Sequence, residues 1–108
     1  MQLSDCRALI TGASGGIGQA LVERLCLGGA KLLLAGRQLA PLEGLVQRFP
    51  GQVELVCADI TEASGREAVL AAARRFGGMN TLINAAGVNH FAMLEQLAGQ
   101  SGWLQLNL

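Results

Sequence analysis

Tyrosine is absent from the 108 residues, and lysine, histidine and tryptophan occur once each, as Lys31, His90 and Trp103. Acid–base chemistry resting on a tyrosine is therefore excluded within this stretch. His90 has no catalytic partner of the required type nearby in sequence, and reads as a loop histidine. Charge is scarce too: 15% of residues are charged, with eight basic side chains balancing eight acidic ones. Nothing in that balance points to nucleic acid or an anionic membrane surface, so any anion site must be local. No apolar run approaches the roughly 18 residues needed to span a bilayer. The first seven residues lack the basic and apolar regions of a signal peptide. The three cysteines, Cys6, Cys26 and Cys57, are odd in number and include no pair at metal-ligand spacing. Lying in apolar stretches, they are expected to be small core residues, which suits a reducing, cytoplasmic setting.

What is present is aliphatic residue and glycine: 51% of the chain is hydrophobic and 15 residues are glycine. A single domain of this length buries about two-thirds of its unfolded surface. Strand and helix patterns alternate throughout. Residues 8–10 read as a buried strand, followed by a glycine-rich loop. Ile17, Ala20, Leu21 and Leu25 then recur at helical spacing, and Gly28-Gly29 supplies a stop. A second strand is expected over 31–35 and a second helix over 39–49, with Pro41 tolerable only in its first turn. A third strand covers 53–58, and the next helix, capped by Thr61 or Asp59, turns Val69, Ala72, Ala73 and Phe76 inward. Gly77-Gly78 ends it. Residues 81–84 form a fourth strand, 92–97 a weaker helical segment, and a last helix begins near Ser101. Trp103 and the methionines read as packing positions.

Strands separated by single helices give a parallel sheet with helices on both faces. The expected fold is α/β, the amino-terminal half of a Rossmann-type doubly wound sheet, with four strands in the order 3-2-1-4.

The loop Thr11-Gly12-Ala13-Ser14-Gly15-Gly16-Ile17-Gly18 lies directly after a strand and opens a helix. Free amides and the dipole at a helix amino terminus favour a pyrophosphate, and glycines let the phosphates approach the backbone. The spacing Gly12-x-x-x-Gly16-x-Gly18 is one residue longer in its first interval than the general dinucleotide pattern.

This loop resembles the cofactor loop of the short-chain dehydrogenase/reductase family, and the similarity covers essentially the whole chain. Arg75-Phe76-Gly77-Gly78 followed by Leu82-Ile83-Asn84-Ala85-Ala86-Gly87 is similar to the family's stretch ending in Asn-Asn-Ala-Gly. Asp59-Ile60-Thr61 resembles its adenine-contacting segment. Residues 103–108, with Asn107, resemble its helix bearing a catalytic asparagine. The resemblance implies cofactor contacts from Gly12, Ser14, Gly15, Gly16, Ile17, Gly18, Asp59, Ile60, Asn84, Ala85, Ala86 and Gly87.

The end of the second strand bears on which dinucleotide is taken. An acidic residue there hydrogen-bonds the ribose 2′-hydroxyl in an NAD site. This chain has Gly36 where NAD-selective relatives carry aspartate, followed by Arg37, whose guanidinium can grip a 2′-phosphate. Alone, Arg37 would read as a solvated side chain; with the loop upstream, NADP is expected over NAD. Asp59 either accepts from the adenine amino group or only caps the following helix. Asn84 is expected to be largely structural. Ala85 replaces the second asparagine of the commoner family form, leaving backbone contacts from 85–87 to the nicotinamide-side ribose. Asn80 stands where relatives usually have aspartate, with a modest structural consequence.

The resemblance also implies a tyrosine, lysine and serine that this chain does not match. Lys31 begins the second strand, on the wrong side of the loop, and only Asn107 has a counterpart, which taken alone reads equally as a helix-surface amide. The expected short terminal helix and unpaired edge of the fourth strand read as truncation. Three readings follow: the cofactor-binding part of an NADP-dependent oxidoreductase acting on an alcohol or carbonyl, inactive as these 108 residues alone; a non-catalytic NADPH-binding module; or a remnant. The complete protein would have a small-molecule substrate. It could also form a homo-oligomer, since relatives pair through the helix beginning at Ser101.

Overall fold

The computed structural model describes residues 2–85 and 104–107. After a single tight turn at Leu3–Asp5, the chain forms Arg7–Thr11 (β1), Gly16–Leu27 (α1), Lys31–Gly36 (β2), Glu43–Arg48 (α2), Val53–Cys57 (β3), Ala63–Arg75 (α3), Thr81–Asn84 (β4) and Leu104–Asn107 (β5). The strands make one parallel sheet in the order β3-β2-β1-β4-β5. The first four stand in the expected order.

The aliphatic strands are buried on both faces, and strand alternation divides their side chains between two cores. Ala8, Ile10, Leu32, Leu34 and Ile83 pack with Val22 and Cys26 of α1 and with Leu42 and Leu45. Leu9, Leu33, Ala35 and Leu82 pack on the other side with Val69, Ala72 and Ala73 of α3. Helices therefore cover both faces.

Several expectations are corrected. The buried stripe of α1 is Gly18, Val22 and Cys26 flanked by Leu21 and Leu25, while Ala20 is exposed and Ile17 is 80% exposed. The stripe is rotated because the close seat of Gly18 on the loop sets the phase of the helix. The second helix is shorter than 39–49: Pro41 lies in a 3₁₀ turn over Ala40–Leu42, ahead of α2. Neither Thr61 nor Asp59 occupies the N-cap of α3. Glu62 does, with no side-chain cap. Cys6 and Cys26 are buried but Cys57 is exposed, since it ends an outer strand of the sheet.

The largest correction concerns the helix expected from Ser101. Leu104–Asn107 is instead a strand, parallel to β4, with the Leu104 N–H donating to the Asn80 carbonyl at 2.9 Å. Leu-Gln-Leu-Asn alternates with a period of two, and the edge of β4 offers backbone groups whose pairing a helix could not supply. The edge of β4 is thus paired, and the element expected to mediate oligomer contacts is not a helix over these residues. The helical segment at 92–97, His90, Trp103, Met93, Ala86 and Gly87 lie outside the described residues.

Candidate functional site

The carboxyl ends of β1, β2 and β3 and the segments that follow them converge on one crevice. At the end of β1, Gly12 takes φ 77°, a conformation that strains any residue with a Cβ. Gly18 is required for a different reason: a Cβ there would lie 2.5 Å from the Cα of Ala13. These two glycines serve the chain's own folding. Gly15 and Gly16 do not, because neither has positive φ and an added Cβ would meet nothing within 4 Å. The open space they preserve lies before an α1 amino terminus with no side-chain cap and no acidic residue in its first turn. Among the described residues no side chain crowds Gly15 or Gly16, so the free helix amides and the positive end of the dipole face open space there. Gln19, overlooked in the sequence, ties loop to helix by donating from Nε2 to the Ser14 carbonyl at 2.8 Å. The cradle fits a pyrophosphate. Ile17, in the first turn of α1, is exposed.

Beside this loop is a cleft of about 310 Å³ lined by residues 12–14, 35–39 and 58–60. It brings together Gly12, Ser14, Arg37, Asp59 and Ile60 among the expected site residues. Gly15, Gly16, Ile17, Gly18, Asn84 and Ala85 are not part of its lining. Gln38 and Leu39 are, and the sequence signalled them only by their position just after Arg37. A Cβ on Gly36 would lie 3.5 Å from Leu39 Cδ2, an ordinary contact, and Gly36 is not at positive φ. Neither packing nor backbone demands glycine there, and its effect is to leave the end of β2 without a carboxylate. Arg37 is 78% exposed at the rim, its Nη1 4.0 Å from Asp59 Oδ2.

Asp59 is held firmly. Its Oδ1 accepts from the Thr61 backbone N–H at 2.9 Å and from the Thr61 hydroxyl at 2.6 Å, fixing the turn into α3. Arg66 braces the same turn by donating from Nη1 to the Ile60 carbonyl at 3.0 Å. Gly65 was also missed from sequence, although a Cβ there would collide with the Asp59 carbonyl. A glycine in the first turn of a helix, where propensity disfavours it, was the available signal. Ile60 is mostly core, packed against the α3 face of the sheet.

Asn84 ends β4 and is 3% exposed, with Oδ1 accepting from the Thr11 hydroxyl at 3.2 Å. The Ala85 N–H donates to the Thr11 carbonyl at 2.9 Å, so the chain leaves β4 directly beside the glycine loop. Asn107 is the β5 register partner of Asn84, at the same end of the sheet. Asn80 works at the opposite end: its Oδ1 accepts from the Arg7 N–H at 2.9 Å and its Nδ2 donates to the Asp5 carbonyl at 2.8 Å. An aspartate would lack that donor.

Comparison with known proteins follows the same lines. A family model described as short chain dehydrogenase matches residues 7–107. D-erythrulose reductase from Gallus gallus is 42% identical over 89 residues, 82% of this chain and 33% of its own. Among solved structures, L-sorbose reductase from Gluconobacter frateurii, complexed with NADPH and L-sorbose, has a TM-score of 0.70 at 36% identity. That match covers 82% of this chain and 35% of the other. 3-Ketoacyl-(acyl-carrier-protein) reductase from Brucella melitensis, complexed with NADH, has a TM-score of 0.66 at 34% identity, covering 75% of this chain and 34% of the other. The chain spans about a third of the length of these relatives.

Proposed function

The chain belongs to the short chain dehydrogenase family, and on that footing we propose that its crevice binds NADP in preference to NAD, as the cofactor-binding part of an oxidoreductase acting on a small alcohol or ketone. The observation that carries this reading is the placing of an uncapped α1 amino terminus, with no acidic residue in its first turn, beside a cleft lined by Gly36, which brings no carboxylate, and by the guanidinium-bearing Arg37. Amides of residues 15–18 hold the pyrophosphate and Ile17 flanks it. Arg37 holds the 2′-phosphate, and Asp59 and Ile60 border the adenine. The backbone contacts to the nicotinamide-side ribose that the family resemblance implies are assigned to Ala85, Ala86 and Gly87, while Asn84 is buried at the end of β4. The relay role that the resemblance implied for Asn107 rested on a helix and is not carried over to its place in β5. The bound nicotinamide supplies or accepts the hydride. The names D-erythrulose reductase and L-sorbose reductase support a small hydroxylated ketone as the substrate class. Two buried thiols favour a reducing, cytoplasmic setting, and no helix among the described residues is long and apolar enough to cross a membrane.

A second reading, a module that binds NADPH without turning over substrate by itself, is favoured by one observation. The only lysine, Lys31, begins β2, at the end of the sheet away from the crevice, and no tyrosine accompanies it. These 108 residues are accordingly proposed to bind NADPH without oxidising it in the presence of small ketones.

Calorimetric titration with NADPH and NADH tests the cofactor assignment. Charge-assisted hydrogen bonds to the 2′-phosphate contribute about 1.5–3 kcal/mol, so NADPH is expected to bind about ten- to a hundredfold more tightly. Arg37→Ala removes most of that difference. Equal losses for both dinucleotides contradict the assignment.

A further inference from the structure

Resting on the NADP reading, we propose that Asp59 is a specificity-determining residue that opposes the 2′-phosphate by competing for the Arg37 guanidinium. Among the described residues Asp59 is the carboxylate paired with Arg37, with Oδ2 4.0 Å from Nη1, and both residues line the same cleft. That separation exceeds a hydrogen bond, so this contact attracts the guanidinium without fixing the planar, paired geometry that would prepare it for a phosphate. Asp59 cannot yield when a second anion arrives. Its other oxygen is held by the Thr61 amide and hydroxyl, and a side chain at Gly65 could not exist without displacing the Asp59 backbone. Arg37, by contrast, is a long exposed side chain free to redirect. A dinucleotide carrying a 2′-phosphate must therefore draw Arg37 from a fixed carboxylate, whereas one with a 2′-hydroxyl need not. An exposed pair of this kind holds a guanidinium by a factor of up to about five, which sets the size of the effect.

Asp59→Asn tests this, because the amide oxygen can still accept from Thr61 and keep the turn. The readout is the ratio of NADH to NADPH dissociation constants. Loss of an adenine contact affects both dinucleotides alike and leaves the ratio unmoved. Asp59→Asn is expected to raise the ratio by up to about fivefold in the parent chain, and by less than half that factor in an Arg37→Ala background. An unchanged or lowered ratio overturns the proposal, as does an equal rise in both backgrounds, which would make Asp59 act on the phosphate directly. If Arg37→Ala itself leaves the ratio unchanged, the NADP reading fails instead.

Discussion

At the scale of single residues, Gly36 and Arg37 are expected to set cofactor preference together, one by withholding a negative charge and the other by supplying a positive one. Because a side chain at 36 meets only ordinary contact with Leu39, Gly36→Asp should fold normally. Its carboxylate is predicted to weaken NADPH binding at least about tenfold through repulsion of the 2′-phosphate, while NADH binding holds or tightens by hydrogen bonding to the 2′-hydroxyl. Fluorescence titration with both dinucleotides reads this out. The loop glycines divide in a second testable way. Gly18→Ala forces a Cβ into Ala13 and is predicted to cost about 1–3 kcal/mol in urea denaturation. Gly16→Ala, with open space before it, should leave stability within about 0.5 kcal/mol of the parent, or raise it by helix propensity. It should nevertheless weaken dinucleotide binding, because the methyl group enters the phosphate space. Loss of stability in Gly16→Ala, or unaltered binding, would count against the cradle.

At the scale of elements, α1 is anchored by Val22 and Cys26 against the α1 face of the sheet, and burial pushes the Cys26 thiol above its ordinary value of 9.0. A group with a raised folded-state value holds its proton more tightly when folded. Its stability contribution is therefore complete below 9.0 and declines as pH rises beyond it. Denaturation between pH 8 and 10 should show that decline, and Cys26→Ala should flatten it; an identical slope in the variant would contradict the assignment. The central strands were legible in sequence because runs such as Leu32-Leu33-Leu34 are buried on both faces and leave little choice of element. Turns were legible where glycine marked them, as at Gly77-Gly78, both at positive φ. Phase and edge were harder to read. Ile17 and Ala20 carry the same apolar signal as Val22, and only the contact of Gly18 with Ala13 decides which stripe turns inward. Residues 104–107 fit a helix or a strand by local pattern, and pairing with β4, some twenty residues away, decides between them.

At the scale of the whole molecule, the sheet gathers what the sequence separates. Residues 12–14, 35–39 and 58–60, each about a score of residues apart, meet because β3, β2 and β1 are neighbours and parallel. The phosphate loop was legible in sequence because its glycines are local. The ion pair of Arg37 with Asp59 was not, since it depends on the ends of two strands closing against one another. The short-range bracing by Gln19 and Arg66 and the seat of Gly65 depend on the path each loop takes into its helix, which residue types alone do not fix. Amide and side-chain NMR of the ¹⁵N-labelled chain, titrated with NADPH, addresses this closure directly. Signals from the amides of residues 15–18 and from the Arg37 guanidinium should move together along one saturable curve. If NADPH instead perturbs other regions while those amides stay still, or if Arg37 does not respond with them, the crevice is not the dinucleotide site.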